Sequence, residues 1–481
     1  MKTIPTKCFK PRIATTLFAL SALVFSAAQL LAAPPQAAGG AAAYPVKVSS
    51  NGRYLVDQNN VPFLIVGDTP QGLMGRLTEA QAELYFANRQ AHGFNTMGWI
   101  DVACAGSDYR DNKEGGTPDG IRPFTGFVPG GNDFQHYDLT KPNEAYFARL
   151  DHVVLLAAKH GLLVFIDPIE TIGWLPTLRN NGLASAYSYG QYLGRRYKRF
   201  SNAAWLNGND FNSWKDPRDD ALVRAVAKGI KSEDPAHLHS VELNVCTSSS
   251  LDDPTWAPLI ALNGTYTYSP TYMQMLHSYN QTPVLPTYLM EAHYDWEDVG
   301  KPPDFGTPAV LRREEYWTML TGGTGQFYGN KYTWSFAPGW ETHIDTEGVT
   351  QLTIWKKFFA SLPWQDLVPD QDHKVVTSGL GTYGTFDTRV SQSDYCTAAK
   401  TPDGSYVIAY LPTVRTITVN MASLEAPAYA AWFDPTNGAY LKIPGGPIAN
   451  TGTRQFTPPG KNHEGADDWV LVLNASGSFR R

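Results

Sequence analysis

One pattern restricts the fold more than any other, an alternation that recurs between residues 61 and 330. A short apolar run stops at a polar residue, and a helix-patterned stretch follows. VPFLIVGDTP (61–70) leads into LTEAQAELYFANRQAHG (77–93), where Thr78 and Gln81 have capping-box spacing and Gly93 is a stop. FNTMGWI (94–100) precedes the amphipathic stretch NEAYFARLDHVVLLAAKHG (143–161), and LLVFIDP (162–168) precedes a helix over 187–200. NAAWLNGND (202–210), HLHSVELN (237–244), GTYTYS (264–269), PVLPTYLME (283–291) and TGQFYGN (324–330) continue the series, with helices over 219–235, 271–280, 308–323 and 348–364. Eight parallel strands ending near 68, 98, 167, 209, 244, 269, 291 and 329, each with a helix after it, predict an α/β fold, a (β/α)8 barrel over 46–368. A doubly wound sheet would want a glycine-rich first turn, which GDTPQGLMG does not supply.

Beyond Pro369 the helical period disappears. SYVIAYL (405–411), TITVNM (416–421), AYAAWFDPTNGAY (428–440) and DDWVLVLN (467–474) are short strands between turn residues, which predict a C-terminal β-sandwich over 369–481. Nothing there concentrates acids with aromatics, so the module is expected to pack on the barrel and carry no chemistry. Asp434 and Asn437 are expected to shape a turn.

The first twelve residues carry four positive charges and no acid, and IATTLFALSALVFSAAQLLAA follows. This predicts an export signal over 1–33, a flexible Pro/Ala/Gly lead-in over 34–45, and a secreted or periplasmic protein. An N-terminal membrane anchor is the alternative; no second long apolar run follows Pro45. With 39 basic and 45 acidic residues and no basic stripe, nucleic acid is not an expected partner. Cys8 belongs to the leader, leaving Cys104, Cys246 and Cys396, of which Cys104–Cys246 could bridge. No CxxC or HExxH occurs, and the acidic loop 101–142 lacks EF-hand spacing, so neither metal nor cofactor is expected. The sequence leaves oligomeric state open.

The strand ends supply the candidate site. Asp68 ends the first strand; Trp99 and Asp101 follow the second; Asp167 and Glu170 flank the end of the third. Asn209 and Asp210 end the fourth, Glu242 and Asn244 lie on the fifth, and Tyr268 ends the sixth. Glu291 and His293 belong to the seventh, Tyr328 and Asn330 to the eighth, with Trp334 just beyond. A rim with paired carboxylates suits acid/base or nucleophilic work on an acetal. Asp210 and Glu291 are the favoured pair, since each closes an apolar strand and strands four and seven face each other across a barrel mouth. Glu242 competes, because periodicity does not fix whether it points inward. Asp68 suits substrate binding or a structural hydrogen bond, and Asp167 before Pro168 suits a turn. His92, His152 and His160 lie on or beside helices and read as structural, whereas His293 is more open. Trp174, Trp214, Trp256, Trp296, Trp334 and Trp340 lie in or near the loops, where two or three could stack on sugar C–H faces.

At these residues the sequence resembles the apiosidase-like glycoside hydrolases of family 140 and their relatives. The shared pieces are FLIVGDTPQGLM (63–74), GFNTM (93–97), YLGRRY…NAAWLNGND (192–210), PVLPTYLMEAHYDWE (283–297) and GGTGQFYGN…W (322–334). AWFDPTNG (431–438) is similar to a module once labelled collagen-binding. The resemblance implies a barrel followed by a β-sandwich, an acid/base at Asp210, a nucleophile at Glu291, and an oligosaccharide or polysaccharide substrate. The chain departs where relatives have Gly-Gly-Asp (here Gly208, Asn209, Asp210), Gly-Glu (here Met290, Glu291) and an aromatic after GDT (here Pro70, Gln71). These changes bear on which sugar fits and leave both acids in place. A non-catalytic carbohydrate-binding barrel is the alternative, and a collagen peptidase lacks any zinc motif or triad.

Overall fold

The structure is a computed structural model that describes residues 42–103, 112–244, 247–298 and 304–477. The leader and the Cys104–Cys246 pairing lie outside the described residues; Cys396 is a free, buried thiol. Eight parallel strands form the barrel: β1 (Ile65–Asp68), β2 (Thr96–Asp101), β3 (Leu163–Asp167), β4 (Ala203–Leu206), β5 (His239–Ser240), β6 (Asn263–Thr267), β7 (Thr287–Glu291) and β8 (Gly323–Tyr328). They pair in the order β5-β4-β3-β2-β1-β8-β7-β6. The last seam closes where the Ala261 and Leu262 amides donate to the His239 carbonyl (2.9 and 3.2 Å). The strands read as unbroken apolar runs because helices cover their outer face while side chains fill the interior. Phe165, Trp99, Tyr288, Met290 and Phe327 form that inner core.

The helices longer than two turns are α1 (Glu79–Ala91), α2 (Glu144–Lys159), α3 (Thr171–Tyr197), α4 (Pro217–Glu233), α5 (Thr271–Asn280), α6 (Pro308–Leu320) and α7 (Glu347–Ala360). The Thr78–Gln81 capping box forms as its spacing requires. Helix α3 starts sixteen residues before the expected 187, because Glu170 caps its first turn through the Gly173 amide (2.9 Å) and the helix runs on through a bend at Gly182. Helices α3 and α4 touch backbone to backbone. A Cβ on Gly229 would lie 2.2 Å from the Tyr187 carbonyl oxygen, and one on Gly190 would lie 2.1 Å from that of Val226. Gly229→Ala should therefore cost about 1–3 kcal/mol by forcing the helices apart. A thermal midpoint equal to wild type would show that the crossing yields more easily than this geometry implies.

Two expectations need correction. Strand β4 stops at Leu206, since Gly208 turns into the left-handed region (φ 85), and Asn209 and Asp210 lie beyond it. Strand β5 stops at Ser240, so Glu242 and Asn244 also lie beyond their strand, and among the described residues no α-helix precedes β6. Instead Thr247–Ser249 pairs antiparallel with β6, and two 3-10 turns (Ser250–Asp252, Pro254–Trp256) complete the connection. The side chains of Asp252 and Asp253 accept the Ser249 and Thr255 amides, a local bonding pattern that competes with helix.

After α7 the chain becomes antiparallel. One sheet has six strands in the order Val368–Pro369, Thr397–Lys400, Tyr406–Leu411, Trp469–Asn474, Tyr429–Phe433 and Tyr440–Lys442. The other has three: Val376–Ser378, Ile417–Asn420 and Thr453–Phe456. Alternate residues of the larger sheet face opposite partners. Val407, Ala409, Leu411, Trp469 and Leu471 pack against the smaller sheet, while Ile408, Tyr410, Val470 and Val472 pack against the barrel. Tyr410 stacks on Tyr316 of α6 with ring centroids 5.1 Å apart. Beneath that contact, Arg312 of α6 makes a two-point bond to Asp468 (2.8 and 2.9 Å), and both side chains are buried. Asp434 shapes its turn as expected, accepting the Thr436 amide (2.9 Å) and the His463 amide (2.8 Å).

Candidate active site

Glu291 is the last residue of β7 and is only 7% exposed. Each of its carboxylate oxygens meets a phenol: Tyr268 donates to Oε1 (3.2 Å) and Tyr294 to Oε2 (3.1 Å). Gln71 donates to the Tyr294 hydroxyl (2.9 Å). Tyr268 also stands 3.3 Å from both oxygens of Glu297, which accepts the Tyr294 amide (2.8 Å). Burial, then the neighbouring Asp210 and Glu297 carboxylates, push the Glu291 pKa well up, and tyrosine hydroxyls pull it back. Burial takes Glu297 up to about 7.

Asp210 sits four residues past β4 in the left-handed region (φ 42), a conformation a short polar side chain tolerates better than most. Its amide donates to Glu242 Oε2 (2.9 Å), so the competitor for catalysis is bonded to the favoured acid's own backbone. Asp210 is half-buried, whereas Glu242 is fully buried and its Oε1 has no partner among the described residues. Burial, Glu291 and Asp210 hold the Glu242 pKa well above the usual carboxylate range. Asp167, buried beside Asp101, is raised for the same two reasons, burial and a carboxylate neighbour. The structure thus brings Asp210, Glu242, Glu291 and Tyr268 together over a string of buried acids.

A stability consequence follows from the direction of the Glu242 shift. The folded chain retains this proton at pH values where the unfolded chain has released it. Stability is therefore lost as pH climbs from the ordinary glutamate range (about 4.3) through the raised folded value. Glu242→Gln, which cannot ionise and keeps an oxygen for the Asp210 amide, should match wild type in thermal midpoint near pH 4. By pH 8 it should melt several degrees higher. A gap that stayed constant with pH would contradict the shift.

The other expected residues divide. Asp68 is fully buried and bonded by Tyr85, Arg89 and the Thr69 amide, so it holds the fold instead of facing substrate. Trp99 lies in the barrel interior with its indole on Asp101 (3.1 Å), out of reach of a ligand. Glu170 caps α3, Asn209 accepts the Thr171 amide (3.0 Å), and Tyr328 donates to Asp295 (2.7 Å); all three are buried structural groups. His293 is buried against Glu314 (2.6 Å), with its ring edge-on to Tyr268 at 5.0 Å. It backs the site through that ring. Asn244 is half-buried beyond β5 and Trp334 half-buried beyond β8. Among the tryptophans, Trp174 (in the first turn of α3), Trp256 and Trp340 (both in 3-10 turns) are buried, Trp214 is half-buried, and Trp296 is exposed. Sequence reading overlooked Tyr294 and Glu297. Their signal was position: both follow Glu291 within the stretch MEAHYDWE. Among the described residues no cluster of His, Cys, Asp or Glu is placed to hold a metal ion.

A family model described as the apiosidase-like catalytic domain matches residues 49–366, well over half of the chain. A second, for a domain family named for collagen binding in a collagenase, matches residues 385–474. A solved glycoside hydrolase is 21% identical with a TM-score of 0.75, covering 91% of this chain and 98% of that one. A glycoside hydrolase family 5 protein from Bacteroides vulgatus is 19% identical with a TM-score of 0.74, covering 90% of this chain and 93% of its own. At such identities these two show the fold, a (β/α)8 barrel followed by a β-sandwich. No curated protein matches the chain. With its barrel matched almost end to end, the chain belongs to the apiosidase-like family of glycoside hydrolase catalytic domains.

Proposed function

We propose that the protein is a secreted, retaining glycosidase that releases a sugar from a plant or bacterial polysaccharide or oligosaccharide, with Glu291 as nucleophile and Asp210 as acid/base. The observation that carries the reading is the hold on Glu291: one tyrosine hydroxyl on each oxygen, with Asp210 close enough to disturb its ionisation. In this reading Glu291, held by two phenol donors, is the carboxylate that attacks, and Asp210, the more exposed member, supplies the proton to the leaving oxygen. Attack by a Glu291 oxygen forms a bond to the anomeric carbon as the glycosidic C–O bond breaks and the Asp210 proton moves to the departing oxygen. Asp210, now a carboxylate, takes a proton from water, whose oxygen displaces Glu291 and restores the original configuration. The N-terminal stretch 1–33, read as an export signal, would carry this action outside the cytoplasm, where polysaccharides are met.

The test is a panel of 4-nitrophenyl pentosides, hexosides and deoxyhexosides together with plant cell-wall oligosaccharides, with product anomers followed by NMR at early times. The expected first product keeps the substrate's configuration. An inverted first product would make Glu291 a general base and remove the covalent intermediate. Binding without turnover of any glycoside would favour the non-catalytic alternative.

A further inference from the structure

The C-terminal module reaches the barrel mouth near Ser269 and Asp304. Ser269, one residue past Tyr268, donates its hydroxyl to the Phe386 carbonyl (2.7 Å), and the Gly384 amide donates to the Tyr272 hydroxyl (3.0 Å). Asp304, in the loop after β7, accepts the Val390 and Ser391 amides (2.7 and 3.1 Å). The Asp304 loop is tied in turn to the surroundings of Glu291. The Trp296 amide donates to the Gly306 carbonyl (2.8 Å), and the Gly306 amide donates to that of Glu297 (2.6 Å). A segment of the module thus bridges the loops after β6 and β7, the two that supply Tyr268, Tyr294 and Glu297.

With the backbone fastened on both sides, three rings on these tied segments stay in solvent: Phe386 is 47% exposed, Trp296 45% and Phe305 36%. Trp296 is also held in the left-handed region (φ 65), which a bulky residue seldom adopts without support from its surroundings. A lone exposed ring needs no explanation. Three on loops tied to one another and to the segments that supply Tyr268, Tyr294 and Glu297 offer ring faces of the kind on which sugar C–H bonds stack.

We propose that Trp296, Phe305 and Phe386 form a second sugar subsite, outside the catalytic pocket, that takes the saccharide flanking the cleaved unit. Phe386, supplied by the C-terminal module, is its specificity-determining residue. The inference rests on the glycosidase reading of Glu291. It gives the module a binding role at the mouth while leaving the chemistry to the barrel.

The experiment uses the full chain with Glu291→Gln to prevent turnover. Xylo-, arabino-, galacto- and rhamnogalacturonan oligosaccharides, and their component monosaccharides, are titrated with tryptophan fluorescence as the readout. Adding Phe386→Ala should weaken the best oligosaccharide by about tenfold and leave its monosaccharide unchanged. Adding Phe386→Trp should retain the parent affinity, which separates loss of the ring from disturbance of the loop. Equal oligosaccharide binding with and without the Phe386 ring would overturn the proposal, as would an equal loss for the monosaccharide. Should no oligosaccharide bind, the subsite falls, while hydrolysis of aryl glycosides by the wild-type chain still decides the glycosidase reading separately.

Discussion

Glu291→Ala is expected to lower kcat/KM on every glycoside by about 10⁴-fold or more, because it removes the carboxylate assigned to form the covalent bond. The loss should not depend on the leaving group. Asp210→Ala should behave differently. Its natural oligosaccharide should suffer about 10²–10⁴-fold, whereas an aryl glycoside with an acidic phenol, which needs little protonation, should suffer far less. Both variants should melt close to wild type, since each removes one carboxylate from a crowded acidic cluster. If Asp210→Ala lost as much on the aryl glycoside as on the oligosaccharide, its acid role would fail. If Glu242→Ala were dead while Glu291→Ala turned over, the nucleophile would have been assigned to the wrong acid.

The second large effect concerns stability. Asp468→Ala should cost about 3–5 kcal/mol, because it takes away the two-point partner of the buried Arg312 guanidinium and leaves only the more distant Glu464 (4.0 Å) as a carboxylate neighbour. Asp468 also accepts from Tyr410 (3.2 Å) and Asn462 (2.9 Å), so two further donors lose their partner. Replacing both charges, as in Arg312→Leu with Asp468→Leu, should recover part of the loss by removing the stranded charge. Denaturant unfolding of the single and double variants decides this. A single variant as stable as wild type would mean that water enters the seam.

The barrel was legible because burial on two faces leaves a signature that survives without a structure: apolar runs ending in Asp68, Asp167 and Glu291, separated by amphipathic helices. Those three endpoints coincide with strand ends. The region from Asn207 to Leu262 was harder to read. Asn207 crosses to the Ser240 carbonyl (2.8 Å) and Glu242 reaches back to the Asp210 amide (2.9 Å), so long-range bonds set where β4 and β5 stop. Local propensity contains no trace of them. Asp68 shows the converse problem. An acid at a strand end looks alike whether it faces solvent or an arginine, and Arg89, one helix away, decided the matter.

The six-stranded sheet has no spare face. A binding module that moves between proteins normally keeps one surface polar, so that it can be cut out and attached elsewhere. Here excision would bare Ile408, Tyr410, Val470 and Val472 together with the unpaired charge of Asp468. Transplantation to a new host would require that host to carry its own counterparts of Tyr316 and Arg312. The sheet and its barrel should therefore behave as one piece, and a cut between α7 and Val368 is expected to give two fragments instead of two proteins.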